Sequence, residues 1–189
     1  SNDTKQLEKN IYRITDHYNE GFRFISDTSE KFKLAELNLI AGRKAKKSAA
    51  YQSALWYLSM GIGFLVNDKW HSHYKLSSDL YYESAETEYL NADINRAVLL
   101  LNEALQHANN LADKVRALTL LVQCYTALSD NNTAIEAGIK ALSLLDIELL
   151  QNTQITAQDL AVSSQLITNQ SNTFSKPSNL TLTDNDHQL

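Results

Sequence analysis

Apolar residues in this chain return every three or four positions, within segments closed by short polar junctions, and that is the period of helices rather than strands. Ile11, Ile14, Tyr18, Phe22 and Ile25 fall at helical spacing and predict an amphipathic first helix over 7–25, laying one stripe on the helices after it. Asp27-Thr28-Ser29-Glu30 then supplies an N-cap with a glutamate placed to answer back, opening a second helix over 29–47 whose apolar face includes Phe32, Leu34, Leu37 and Ala41. A third, 49–66, carries Tyr51, Leu55, Leu58 and Ile62 and stops at Asn67-Asp68, which can cap a fourth over 69–91. Helices at 93–109, 111–129 and 131–145 complete a set of seven.

Small residues seven apart reveal a repeat, because two helices approach closely only where side chains are small at the crossing. Ala54 pairs with Gly61, Ala97 with Ala104, and Ala134 with Ala141; twelve residues before each pair stand Gly42, Ala85 and Val122, of which Val122 is the poorest match. This is the register of a tetratricopeptide unit, whose first helix needs a small residue to reach the second. Ala92-Asp93 and Ser129-Asp130 lie just ahead of the second helix in the later two units, where aspartate accepts from free backbone N–H groups. The consensus aromatic survives as Tyr125 and is replaced by Ala45 and Glu88; the unit spacings of 43 and 37 exceed the roughly 34 of the standard repeat. The expectation is an all-α, right-handed solenoid of tetratricopeptide-like hairpins, residues 29–150, with 1–28 joining or capping the array.

Composition shifts after Gln151: 22 of the last 39 residues are Ser, Thr, Asn or Gln, and the single proline, Pro177, lies among them, so 151–189 is expected to stay outside the main core. Leu160, Leu166 and Ile167 leave room for one extra helix over 156–169. With 43% hydrophobic and 21% charged residues, the rest can bury a core of ordinary globular type. One cysteine, Cys124, excludes an internal disulfide framework, and no apolar run approaches the roughly 18 residues of a membrane span. A cytoplasmic chain without membrane contact is the expectation, and a net charge of -5 argues against a general polyanion binder, so no nucleic-acid partner is expected.

Three strings carry a resemblance: IYRITDHYNEG (11–21), LAELNLIAGRKAKKSAAYQSALWYL (34–58) and ESAETEYLNADINRAVLLLNEAL (83–105). They resemble the helical-repeat region of large bacterial signalling proteins, over about residues 7–148, with AGRKAKKSAAY as the most specific part. In that family the region follows an AAA-type or STAND-type ATPase module, often behind a serine/threonine-kinase-like domain, and precedes a GAF domain and a histidine kinase or other output domain. The resemblance implies a fragment: the ATP site and any kinase chemistry lie outside these residues, and no catalytic residue carries over.

The chain's own chemistry points the same way. Arg43, Lys44, Lys46 and Lys47 gather four of the 17 basic residues into one turn and a half, but they spread around the helix, which favours a solvated face or an acidic protein surface over nucleic acid. The segment from Gly42 to Ser48 ends in Lys47-Ser48 like a phosphate-binding loop, yet Lys46 occupies the second glycine position and the context is helix, not strand-then-turn. His71 and His73, two apart, point to different faces of a helix and do not form a metal pair; Trp70 beside them is expected to anchor a helix start. His17 is expected to pack, lacking the motif of a phosphoacceptor helix, and Cys124 to behave as a small hydrophobe. Glu83, Glu86 and Glu88 read as the wet face of an amphipathic helix. No metal, cofactor or catalytic residue is expected.

Two classes of function fit these features. A non-catalytic interaction and signal-transmission module would bind another domain of its parent chain or a signalling partner through stacked hairpins, with Tyr51, Trp56, Tyr57, Tyr81, Tyr82 and Tyr89 as available anchors, although interhelical packing is the expected use of most of the six. A small-ligand-sensing domain would instead converge polar groups in one groove, a convergence the sequence does not display. A helical-repeat segment of an ATP-dependent transcription activator shares the first architecture and differs only in the domain downstream of the repeats.

Overall fold

A computed structural model of the chain describes residues 2–65 and 69–145, with side chains from residue 10 onward. Every regular element among them is helical: α1 (Asn2–Glu20), a 3-10 turn (Phe22–Phe24), α2 (Thr28–Lys47), α3 (Tyr51–Phe64), α4 (Lys69–Ser72), α5 (Tyr74–Leu90), α6 (Ile94–His107), α7 (Leu111–Ala127) and α8 (Asn131–Leu144). Three hairpins, α2/α3, α5/α6 and α7/α8, make an all-α helical repeat: α3 packs on α5, α6 packs on α7, and the first helices of neighbouring hairpins, α2, α5 and α7, touch side by side. Helix α1 lies against α2. The expected Asn67-Asp68 cap, the polar tail 151–189 and its helix 156–169 lie outside the described residues.

All three hairpins turn in the same way. Ala49, Ala92 and Ser129 take positive φ of 56°, 66° and 61°, and one residue later Ala50, Asp93 and Asp130 donate their N–H groups to the carbonyls of Ala45, Glu88 and Tyr125 at 3.0, 2.9 and 2.9 Å. This closure satisfies carbonyls that a helix end leaves free. A left-handed turn on a non-glycine residue costs on the order of 1 kcal/mol, so packing of the paired helices must hold it. The bond runs to a backbone carbonyl, and that is why Ala45 and Glu88 can replace the aromatic without changing the turn. Asp93 then accepts from Arg96 N at 3.0 Å and Asp130 from Thr133 N at 3.2 Å, as their positions predict, whereas Ala50 in the same backbone conformation offers no side-chain cap. Asp27 caps α2 through Glu30 N at 3.1 Å, again as expected.

The small-residue register is the packing register. Ala54, Ala97 and Ala104 are almost wholly buried, and Ala134 and Ala141 nearly so. Gly42 and Gly61 permit the closest approaches: a Cβ on Gly42 would stand 2.6 Å from Leu58 Cγ, and one on Gly61 would stand 2.7 Å from Leu80 Cδ2. Around these crossings one core runs through the second and third hairpins on Tyr82, Leu101, Leu118 and Leu121, and another joins α2, α3 and α5 on Leu34, Leu39, Leu58 and Leu80. Ile62 and Leu65 pack against both.

Two elements depart from the sequence expectation. The helix expected over 69–91 is broken at His73, whose backbone sits at φ -135°, ψ 44°; the Ser77 hydroxyl donates to the Lys69 carbonyl at 3.0 Å and ties the short α4 to α5, while the His73 ring packs on Phe32. The first helix ends at Glu20, because Gly21 opens the 3-10 turn and Ile25 is already extended, leading into the Asp27 cap. Its buried stripe is also not the expected one: Ile11, Thr15 and Asn19 face α2, whereas Tyr18 and Phe22 are substantially exposed. A polar lock chooses that face, since Asn19 and Asn38 exchange two amide hydrogen bonds of 2.9 Å in the buried interface.

This packing generates two stability predictions. Gly42→Ala pushes into the fully buried Leu58 and is expected to lower the unfolding free energy by about 1–3 kcal/mol in urea denaturation, against the usual gain of glycine to alanine in a helix. Ala50→Asp supplies the missing cap and is expected to raise it by about 1 kcal/mol, with Asp93→Ala lowering it by a similar amount.

Candidate functional site

Four of the charged side chains that the sequence singled out, Arg43, Lys46, Glu83 and Glu86, meet where α2, α5 and α7 run side by side. Asp79, Glu83 and Glu86 are spaced four and three apart on α5, which stacks them on one face; Arg43 and Lys46, three apart on α2, lie opposite. Arg43 Nε reaches Glu83 Oε1 at 2.7 Å and its Nη2 reaches Asp79 at 3.3 Å. Lys46 bridges Glu83 and Glu86, the latter at 2.8 Å, and Arg116 of α7 closes on Glu86 from the other side at 2.7 Å. Lys75 adds a contact to Asp79 at 2.7 Å. A continuous ladder of opposite charges therefore straps the three first helices together.

Glu83 is 9% exposed, so the wet-face expectation fails for it: its carboxylate points into the seam between helices, not into solvent. Burial opposes ionisation of Glu83, but hydrogen bonds and charge from Lys46 and Arg43 outweigh it and hold its pKa below the ordinary carboxylate value. Burial likewise opposes the charge on Lys46, and its bonds to Glu83 and Glu86 turn the balance upward. Glu88 lies off the ladder, and partial burial with the Asp93 charge nearby raises its pKa.

The other sequence-selected residues divide between core and surface. Lys44 stands over the Tyr12 ring at 4.7 Å, and Lys47 is exposed. Tyr57 is buried, stacked on Tyr12 at 5.6 Å, and donates to Asp16 at 2.8 Å. Tyr82 is buried under the Arg116 guanidinium and donates to the Asp113 carbonyl at 2.6 Å; burial first, then the Asp113 charge, raises the pKa of its phenol. Tyr81 donates to Glu103 at 2.5 Å and receives Lys69 at 2.6 Å. Trp70 rests between Tyr81 and His107, the latter ring stacked at 4.8 Å, and so anchors α4. Tyr51 and Tyr89 are half-buried, and Trp56 remains 47% exposed on α3.

Sequence reading missed Asp79 and Arg116 as partners in this surface. The available signal was the match of acidic spacing on one helix to basic spacing on another, repeated at a separation of 40 residues in Arg43–Glu83 and Lys46–Glu86. Gly42 and Ser48, the phosphate-loop look-alike, belong to the middle and C-cap of α2, where Gly42 receives Leu58. Cys124 lies on the floor of a groove of about 260 Å³ between α5 and α7, walled by Tyr89, Leu101 and Leu120, and burial pushes its thiol pKa upward, away from the reactive thiolate. A larger pocket of about 520 Å³ opens between the end of α1 and α2, beside His17, Tyr18, Lys33 and Leu37. Among the described residues no three or more His, Cys, Asp or Glu side chains gather as a metal site, and no helix is long and apolar enough to cross a membrane.

Fold and surface together define a helical repeat strapped by charge. No family model matches the chain, and no solved structure does. The chain is similar to the hybrid signal transduction histidine kinase G of Dictyostelium discoideum, with 28% identity over 157 aligned residues. The similarity covers 76% of this chain and 5% of the length of that protein.

The ladder makes stability depend on pH in a definite direction. The folded state binds the Glu83 proton less tightly than the unfolded chain does, so its contribution is complete above the ordinary Glu value near 4.3 and is lost as pH falls through the lower folded value. Glu83→Gln is expected to cost about 1–3 kcal/mol at pH 7, by leaving Arg43 and Lys46 underpaired, and to flatten the acid limb of the stability profile; thermal unfolding from pH 3 to pH 7 reads both effects.

Proposed function

We propose that this chain is a non-catalytic, tetratricopeptide-like interaction and transmission segment of a multidomain, ATP-using signalling kinase of the histidine-kinase class. The observation that carries the reading is the span of the similarity: most of this chain aligns with a stretch that is one-twentieth of a hybrid signal transduction histidine kinase. The described residues of this chain form a helical repeat, and repeats act by presenting a surface to neighbouring domains. The ladder supports the same reading, because it spends Arg43, Lys46 and Arg116 on joining hairpins and lets a displacement at α2 reach α7 as one body. Trp56 and Lys47, exposed on the first hairpin, are the available contacts for a partner domain.

The test uses the purified 1–189 chain, the parent protein and the parent's neighbouring domains. With radiolabelled ATP, the parent is expected to acquire label on a histidine outside residues 1–189, and the isolated chain none. Calorimetric titration of the chain with the neighbouring domains is expected to show binding that Trp56→Ala weakens about tenfold or more. Label on the isolated chain, or absence of binding to every neighbouring domain, overturns the proposal.

A further inference from the structure

We propose that α1 is a latch that opens as a unit while the three hairpins stay folded. Within residues 10–20 its fully buried side chains are Ile11, Thr15 and Asn19, two of them polar, with Tyr12 half-buried beside them. The amphipathic helix is thus seated on a face that is mostly not its apolar one: Tyr18 remains 52% exposed, and Phe22, just past its end, 41%.

Several of the contacts beneath it are polar. Asn19 bonds Asn38, Tyr57 bonds Asp16, and Lys44 covers the Tyr12 ring, all exchanges that water can replace at small net loss. The Thr15 hydroxyl is wholly buried with no hydrogen-bond partner, a loss that opening removes. The apolar cluster under α1, Ile11 and Tyr12 with Ala41 and Tyr57, is smaller than the two main cores and meets one of them only at Leu37. The 520 Å³ pocket beneath the C-terminal end of α1 leaves that end poorly packed, and the stretch of Gly21, a 3-10 turn and extended Ile25 can act as the hinge. Elements with few buried apolar contacts open at a fraction of the global free energy, and opening here uncovers Leu37, Ala41 and Tyr57 on the first hairpin without disturbing the charge ladder. The opening is a property of the packing and stands whether or not the signalling reading does.

Thiol labelling of the full chain tests it, with Cys124 as an internal reference for opening of the hairpins. Thr15→Cys replaces a buried, unpartnered hydroxyl by a near-isosteric thiol. The thiol introduced at position 15 is expected to react with a disulfide reagent at least tenfold faster than Cys124, and with a weaker dependence on urea. Asn19→Ala added to that variant is expected to speed labelling at position 15 further and leave Cys124 unchanged. Equal rates and equal urea dependence at the two thiols, or equal acceleration of both, overturn the latch. Hydrogen exchange of the unmodified chain gives an independent reading: amides of 10–20 are expected to exchange at least tenfold faster than those of 77–87 in α5, and equal protection overturns the proposal.

Discussion

Close approach at small residues is the constraint on which the rest depends. With no Cβ at Gly42 and Gly61, the side chains of Leu58 and Leu80 seat directly against the partner backbone, and the same crossing recurs on alanines in the later hairpins. That spacing brings the ends of each pair near enough for one turn geometry to serve three times, with a residue at positive φ followed by an N–H that closes on a carbonyl five residues back. The cost of three left-handed residues is met by the packing that forces them, since no glycine stands at any of the three.

Once the hairpins are set, their side-by-side stacking decides where charge can go. Asp79, Glu83 and Glu86 of α5 sit in a seam bordered by basic residues of α2 and α7, and at Glu83 burial opposes ionisation while opposite charge restores it. Partly buried pairs of this kind add more to specificity of arrangement than to net stability, because desolvation consumes much of the attraction. Their effect is register: a one-turn slip of α2 against α5 would unpair Arg43 and Lys46 together. The strapped layer thereby ties the three hairpins together across their first helices.

Helix α1 obeys a different rule. The hairpins are joined by apolar crossings, while the described side chains of α1 attach it through an amide pair, a phenol–carboxylate bond and a small apolar cluster on Ile11 and Tyr12. The contrast divides the described chain into a strapped array and a neighbour held by other means, and the pocket beside His17 and Tyr18 lies at the junction of the two.

Sequence alone determined the helical class, the position of five helices, α2, α3 and α6 to α8, and the small-residue crossings, because periodicity and side-chain size are local properties that survive any detail of packing. It also located the Asp27, Asp93 and Asp130 caps, whose bonds reach only three residues ahead. What required the tertiary structure was every choice between faces. Glu83 looked solvated because its neighbours in sequence are polar, and only the arrival of α2 turned that face into a seam. The apolar stripe of α1 suggested Tyr18 and Phe22 as the docked side, yet Asn38 of α2 bonds Asn19 and turns Thr15 inward instead. The break at His73 likewise depends on Phe32, far away in sequence, and on a Ser77 bond that no period encodes. Local pattern says what an element is; which of its faces is buried is settled by the partner that reaches it first with a complementary group.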